Sequence, residues 1–180
     1  MIPASHPDAP KPGTKLGSHY SKCFGCGEEA VGGLHVQTTV GEGVSVTTEF
    51  TVTENHQGAP GLAHGGLLAL AFDEALGSVN WLLHAIAVTG RLETDYLRPV
   101  PVGTTLFIEA RCDGVHGRKI YNSAVGRLGG PEGEIAVRAT AIFISVGVEH
   151  FLANGRSAEV RAAMEDPDQI RAARAFDLNP

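Results

Sequence analysis

The sequence predicts an α+β domain in which one long apolar helix is covered by an antiparallel sheet, in the order β-β-α-β-β-β-β. Three observations carry that prediction. Residues 34–40 and 44–52 read as strands joined by a Gly41-Glu42-Gly43 turn, the second alternating apolar and polar side chains. Residues 65–83 are apolar at helical spacing behind a glycine-rich loop, and residues 86–146 divide into four strand-length runs separated by turn formers.

In the first pair of strands, Leu34 to Val40 and Val44 to Val52, the second alternates cleanly. Val44, Val46, Thr48, Phe50 and Val52 share one face, and Ser45, Thr47, Glu49 and Thr51 the other, so the hairpin has one buried side. Residues 54–63 are rich in Gly and Pro and read as an irregular site loop. The helix starts at His64 or Gly65, and Leu68, Phe72, Ala75, Leu76, Val79 and Leu83 form its buried stripe. Its other side is also mostly apolar, which predicts cover by strands or by a second subunit. Four strands follow: Ile86 to Leu97, Thr104 to Cys112, Lys119 to Leu128 and Glu134 to Val146. Turn-rich separators between them predict hairpin links and an antiparallel sheet laid on the helix.

With 180 residues, 43% of them hydrophobic, the chain suits one domain with tails. Residues 1–20 read as a flexible tail, 21–152 as the domain, and 153–180 as a helical or frayed tail. A net charge of −6 with dispersed basic residues excludes a nucleic-acid surface. The three cysteines are an odd set that suits a reducing, cytoplasmic compartment, and residues 1–20 hold no apolar signal core. The apolar run from Gly58 to Ala87 carries Asp73 and Glu74 at its middle, which argues for a buried helix and against a membrane span.

The chemistry concentrates between His56 and Glu74. Backbone N–H groups at a helix start can stabilise a developing oxyanion, and a carboxylate can attack or activate water, a pairing suited to a thioester. Asp73 lies seven residues beyond Gly66, about 10 Å along one helix, whereas reacting atoms must approach to about 3–3.5 Å. Two antiparallel helices of a homodimer would bring Gly65 and Gly66 of one subunit to Asp73 of the other. The plainer alternatives are an exposed helix turn for Asp73 and Glu74, a loop-fixing hydrogen bond for His64, and an ordinary strand position for Thr89. Strict alternation sets Thr89 on a polar face with Arg91, Glu93 and Asp95, so reaching the site requires a favourable register or a bulge near Gly90.

The ordered set His56-Gln57-Gly58, His64-Gly65-Gly66, Asp73, Thr89 sixteen residues later, and Tyr96-Leu97-Arg98-Pro99-Val100-Pro101 resembles the hotdog-fold acyl-coenzyme A thioesterases, in the PaaI-like branch that pairs an Asp with a Thr. The resemblance covers roughly residues 23 to 148. It implies a hotdog fold, a long central helix wrapped by a highly curved antiparallel sheet, in a homodimer or a dimer of dimers. It also implies hydrolysis of acyl-coenzyme A, with Asp73 as general base or nucleophile and Thr89 positioning water. His64, Gly65 and Gly66 would form the helix start that orients the substrate, the two glycine N–H groups polarising the thioester carbonyl. Arg118 and Lys119 match a pattern that implies contact with coenzyme A phosphates. Some relatives place an Asn six residues before the motif His, where this chain has Gly58.

No cofactor or metal is expected. Cys23-Phe24-Gly25-Cys26 has no second Cys pair, His19 and His35 could complete a ligand set only by coincidence, and the resemblance assigns the segment no metal. Two other functions remain in view: a hotdog enoyl-coenzyme A hydratase and a non-catalytic acyl-coenzyme A-binding module.

Overall fold

The computed structural model describes residues 3–165. Seven strands form one antiparallel sheet: β1 (Lys15–Leu16), β2 (Gln37–Val40), β3 (Ser45–Thr51), β6 (Ala87–Tyr96), β7 (Thr105–His116), β8 (Lys119–Leu128) and β9 (Ile135–Ser145). Their spatial order is β1-β2-β3-β7-β8-β9-β6. Helix α1 (Gly65–Val79) packs against β3, β6, β7, β8 and β9, so the sheet wraps around it. Leu68, Phe72, Ala75, Leu76 and Val79 are buried there, against Phe50, Leu106, Ile108 and Val137.

The alternation of residues 44–52 is realised: Val46, Thr48, Phe50 and Val52 are buried while Glu49 and Thr51 are exposed. The residues between hairpin and helix are more ordered than an irregular loop. A 3-10 turn at Glu54–His56 leads into a short ribbon of β4 (Gln57–Ala59) and β5 (Leu62–Ala63).

Helix α1 stops at Val79, short of Leu83, and tightens into a 3-10 turn at Asn80–Leu83. Buried Asn122 of β8 donates from Nδ2 to the Leu76 carbonyl and to Asn80 Oδ1, which fixes the helix end to the sheet.

The four strands after the helix are not all linked by hairpins. Among the described residues strand β6 pairs only with β9 at the sheet edge, and the chain then crosses to β7, which pairs with β3 and β8. The crossing segment is tied down by the Ala136 carbonyl, which accepts from Leu97 N and Arg98 N, and by the Val100 carbonyl, which accepts from Ala63 N. Pro99 and Pro101 cannot donate there, which suits a link that leaves the sheet. Residues 113–116, expected to separate two strands, instead extend β7 to His116 past an irregularity between Cys112 and Gly114.

The N-terminal residues are not a loose tail where described. Lys15 and Leu16 pair with Thr39 and Thr38, Gly13 N donates to the Val40 carbonyl, and the His6 ring stacks on His84 at 3.8 Å. At the other end, α2 (Val148–Asn154) and α3 (Ser157–Glu165) supply the expected short helices. The expected C-terminal tail beyond residue 165 lies outside the described residues.

Candidate active site

Asp73 sits in the middle of α1, half-buried, and its carboxylate Oδ1 accepts a hydrogen bond of 2.8 Å from Thr89 Oγ1. Strand β6 brings Thr89 there through a local irregularity. Thr89 pairs with Phe143 and Arg91 with Ile142, leaving Gly90 as an extra residue. This bulge reverses the alternation, so Thr89 joins Phe143, Ala141 and Ala139 on the face toward the helix, while Arg91 and Glu93 remain outward. Burial pushes the Asp73 carboxyl above its usual range, the Thr89 hydrogen bond opposes that shift, and the nearby Cys23 reinforces it.

Asp73 and Thr89 line one cavity of about 610 Å³. Trp81, Phe143 and Phe151 give it apolar walls, and α3 contributes Glu159 and Val160. Across it Tyr20 donates from its hydroxyl to Glu159 Oε2 at 2.6 Å, tying the N-terminal arm to α3. The volume suits a small organic ligand or the acyl part of a larger one.

At the far end of α1, His64 is the N-cap, and its Nδ1 accepts the Gly66 N–H at 2.9 Å. The expectation that Gly66 offers a free donor is therefore corrected: its N–H already satisfies the capping imidazole. Gly65, the first helical residue, has no partner recorded for its N–H among the described residues, and its carbonyl accepts from the Tyr96 hydroxyl at 2.7 Å. An Asn at position 58 would not fit this geometry, because a Cβ on Gly58 would lie 2.7 Å from His64 Cα. His64, Gly65 and Gly66 do not line the cavity that holds Asp73 and Thr89, so one chain does not unite the two halves.

Arg118 and Lys119 are exposed at the turn between β7 and β8. Lys119 pairs with Ile144, which pairs with Val88, so this turn lies at the Thr89 end of the sheet, two strands or about 10 Å from β6. Arg98 is engaged with Glu134 at 3.1 Å.

The fold gathers a fourth potential donor beside the cysteine pair. His19, Cys23, Cys26 and Glu74 converge, with their donor atoms all within 4.8 Å of one another. His35 lies elsewhere, in a groove with Thr53 and His56. Sequence reasoning missed Glu74 as the fourth member because it lies 48 residues from Cys26, on the helix. Its signal was a second carboxylate beside Asp73 with no evident task.

Residues 60–126 match the Thioesterase superfamily. The chain is 36% identical over 93 residues to acyl-coenzyme A thioesterase THEM4 of Bos taurus, covering 52% of this chain and 38% of that protein. It thus spans about two-fifths of the length of the curated relatives it matches. A crystal structure of a thioesterase superfamily protein superposes with a TM-score of 0.64 at 28% identity, covering 77% of this chain and 70% of that one. A hypothetical thioesterase of Streptococcus pneumoniae, solved with coenzyme A, superposes with a TM-score of 0.54 at 23% identity, covering 57% and 82%. The chain has the hotdog fold of these solved thioesterases, and its residues 60–126 are similar to the thioesterase superfamily.

Proposed function

We propose that the chain hydrolyses acyl-coenzyme A thioesters to a carboxylic acid and free coenzyme A. The observation that carries this reading is the Asp73–Thr89 hydrogen bond at the wall of a largely apolar cavity. Thr89 donates its proton to Oδ1, so its oxygen lone pairs are left to accept from a water, and Asp73 Oδ2 is left to take that water's proton or to attack the acyl carbon. The raised carboxyl pKa makes Asp73 a stronger base once ionised. Gly65 N–H, at the positive end of α1, polarises the thioester carbonyl. The THEM4 relatives are named as acyl-coenzyme A thioesterases, and the Streptococcus pneumoniae neighbour carries coenzyme A, which supports the substrate class. That neighbour has also been solved with an aspartate and, sixteen positions later, a threonine each replaced by alanine, the spacing of Asp73 and Thr89.

The working unit in this reading is a homodimer, alone or paired into a dimer of dimers. Gly65 and Asp73 are separated by about 12 Å of helix rise, too far to meet one carbonyl from a single chain. Strand β6 offers an open, ten-residue edge for pairing with a second copy. Exposed Arg118 and Lys119 at the Thr89 end of the sheet suit the phosphates of coenzyme A. The three free cysteines suit a reducing, cytoplasmic setting.

Thiol release from a panel of saturated acyl-coenzyme A substrates tests the activity. Asp73→Asn is expected to lower kcat by about 10³-fold and Thr89→Val by about 10²-fold, with unchanged circular dichroism. An Asp73→Asn protein as active as the parent would refute the assignment. Water addition to an enoyl-coenzyme A without thiol release would make the protein a hydratase, and tight binding with neither reaction would make it a binding module.

A further inference from the structure

Between Gly17 and Val36 the chain runs twenty residues with no helix or strand, yet it lies against α1. A stretch of that length within a compact domain calls for a reason to be ordered. Part of the order comes from turns, in which Gly27 N donates to the Cys23 carbonyl, Leu34 N to that of Phe24 and Val36 N to that of Gly25. The rest converges on Glu74. Cys23 Sγ lies 3.0 Å from Glu74 Oε1, His19 Nδ1 lies 3.2 Å from Cys26 Sγ, and Cys26 Sγ lies 3.6 Å from Ser18 Oγ.

Two glycines make the approach possible. A Cβ on Gly25 would stand 2.1 Å from Glu74 Cγ, and one on Gly27 would stand 2.3 Å from the Ser21 carbonyl oxygen. The segment is shaped to press its two cysteines onto one carboxylate. That carboxylate makes no salt bridge with Lys or Arg among the described residues.

We infer that His19, Cys23, Cys26 and Glu74 form a tetrahedral zinc site that staples the N-terminal arm to helix α1. The donor set of two sulfurs, one nitrogen and one oxygen is the kind that selects zinc. In a tetrahedral zinc site neighbouring donors stand roughly 3.5–3.8 Å apart, so the observed separations, up to 4.8 Å, need only small adjustments. All four positions come from the protein, which leaves none open to substrate and makes the site structural. Binding displaces the thiol and carboxyl protons and changes no oxidation state. The zinc stands in the wall of the active-site cavity, since His19 and Glu74 line it together with Asp73. It thereby fixes the helix turn that carries Asp73.

The test is metal content, read independently of catalysis. The full chain, purified under reducing conditions without chelator, is expected to carry about one zinc per chain, and exchange for cobalt(II) to give the intense visible bands of a tetrahedral site with a thiolate charge-transfer band. Cys23→Ser and Cys26→Ser lose the metal, Glu74→Gln binds it more weakly, and Cys112→Ser, remote in the core, keeps it. Chelation lowers the Tm of the parent, and added zinc restores it. A reduced parent that holds neither zinc nor cobalt, a Cys23→Ser protein that holds as much as the parent, or a Cys23–Cys26 disulfide in anaerobically purified protein would each overturn the site.

Discussion

Gly65 and Gly66 are adjacent and chemically identical, yet the fold gives them different tasks. Gly66 N–H donates to the capping His64 imidazole, while Gly65 N–H is the donor left at the helix start. Proline is well tolerated at the first helical position, where it removes only the N–H. Gly65→Pro should therefore keep the fold and lower kcat by about 10²–10³-fold, the effect of losing one oxyanion donor. Thiol release at the parental rate from a folded Gly65→Pro protein would remove that role.

His56 supplies a second test at this scale. It is buried beneath the 3-10 turn, its Nδ1 accepts the Thr53 N–H at 3.0 Å, and its ring lies against Phe50. Burial, with the nearby His35, lowers its pKa in the folded state below the ordinary value of 6.5. The unfolded chain thus takes up the proton first, so the stabilisation is present above about pH 6.5 and is lost as the pH falls toward the folded pKa. The urea midpoint should drop between about pH 7.5 and pH 5.5, and by less in His56→Asn, whose amide oxygen can still accept from Thr53. An equal drop in both proteins would show that other groups are responsible.

At the scale of elements, the buried stripe of α1 is the principal link between helix and sheet. Phe72 is fully buried at its centre. Phe72→Ala should destabilise the fold by about 3–5 kcal/mol in urea unfolding, because the sheet cannot collapse into the space. A loss below about 1 kcal/mol would mean that this packing is looser than the burial indicates. The stripe was readable in the sequence because an amphipathic pattern repeats locally. Where α1 ends was not, since Asn122, 42 residues from Asn80, fixes that point. The parity of Thr89 left either a favourable register or a bulge near Gly90 as its route to the site, and only the pairing of β6 with β9 decides for the bulge. The extension of β7 to His116 was hidden because Asp113-Gly114 reads as a turn and forms a strand irregularity.

At the scale of the whole molecule, the helix separates Gly65 from Asp73, and the proposed dimer reunites them. A heterodimer made from Asp73→Ala and Gly65→Pro subunits should regain about one intact site, because both defects can fall in the same shared site and leave the other whole. The measurement is thiol release after refolding the two variants together, compared with each refolded alone. Activity no higher than the sum of the separate variants would rule out sharing. The N-terminal arm belongs to the same scale: it looked like a tail because residues 1–20 lack a hydrophobic repeat, yet backbone pairing at Lys15 and Leu16 needs none.

The sequence by itself determined the helix and six of the seven strands of the main sheet, and singled out His64, Gly65, Asp73 and Thr89 as candidates, because periodicity and motif spacing are local properties of a chain. Only the tertiary structure decided which of those residues meet. Asp73 touches Thr89 because a bulge turns one side chain inward, Gly66 is removed as a donor by its own cap, and Glu74 joins His19, Cys23 and Cys26 because the arm folds back across α1. Each of these depends on strand register or on contact between distant segments, and neither is encoded in the spacing along the chain.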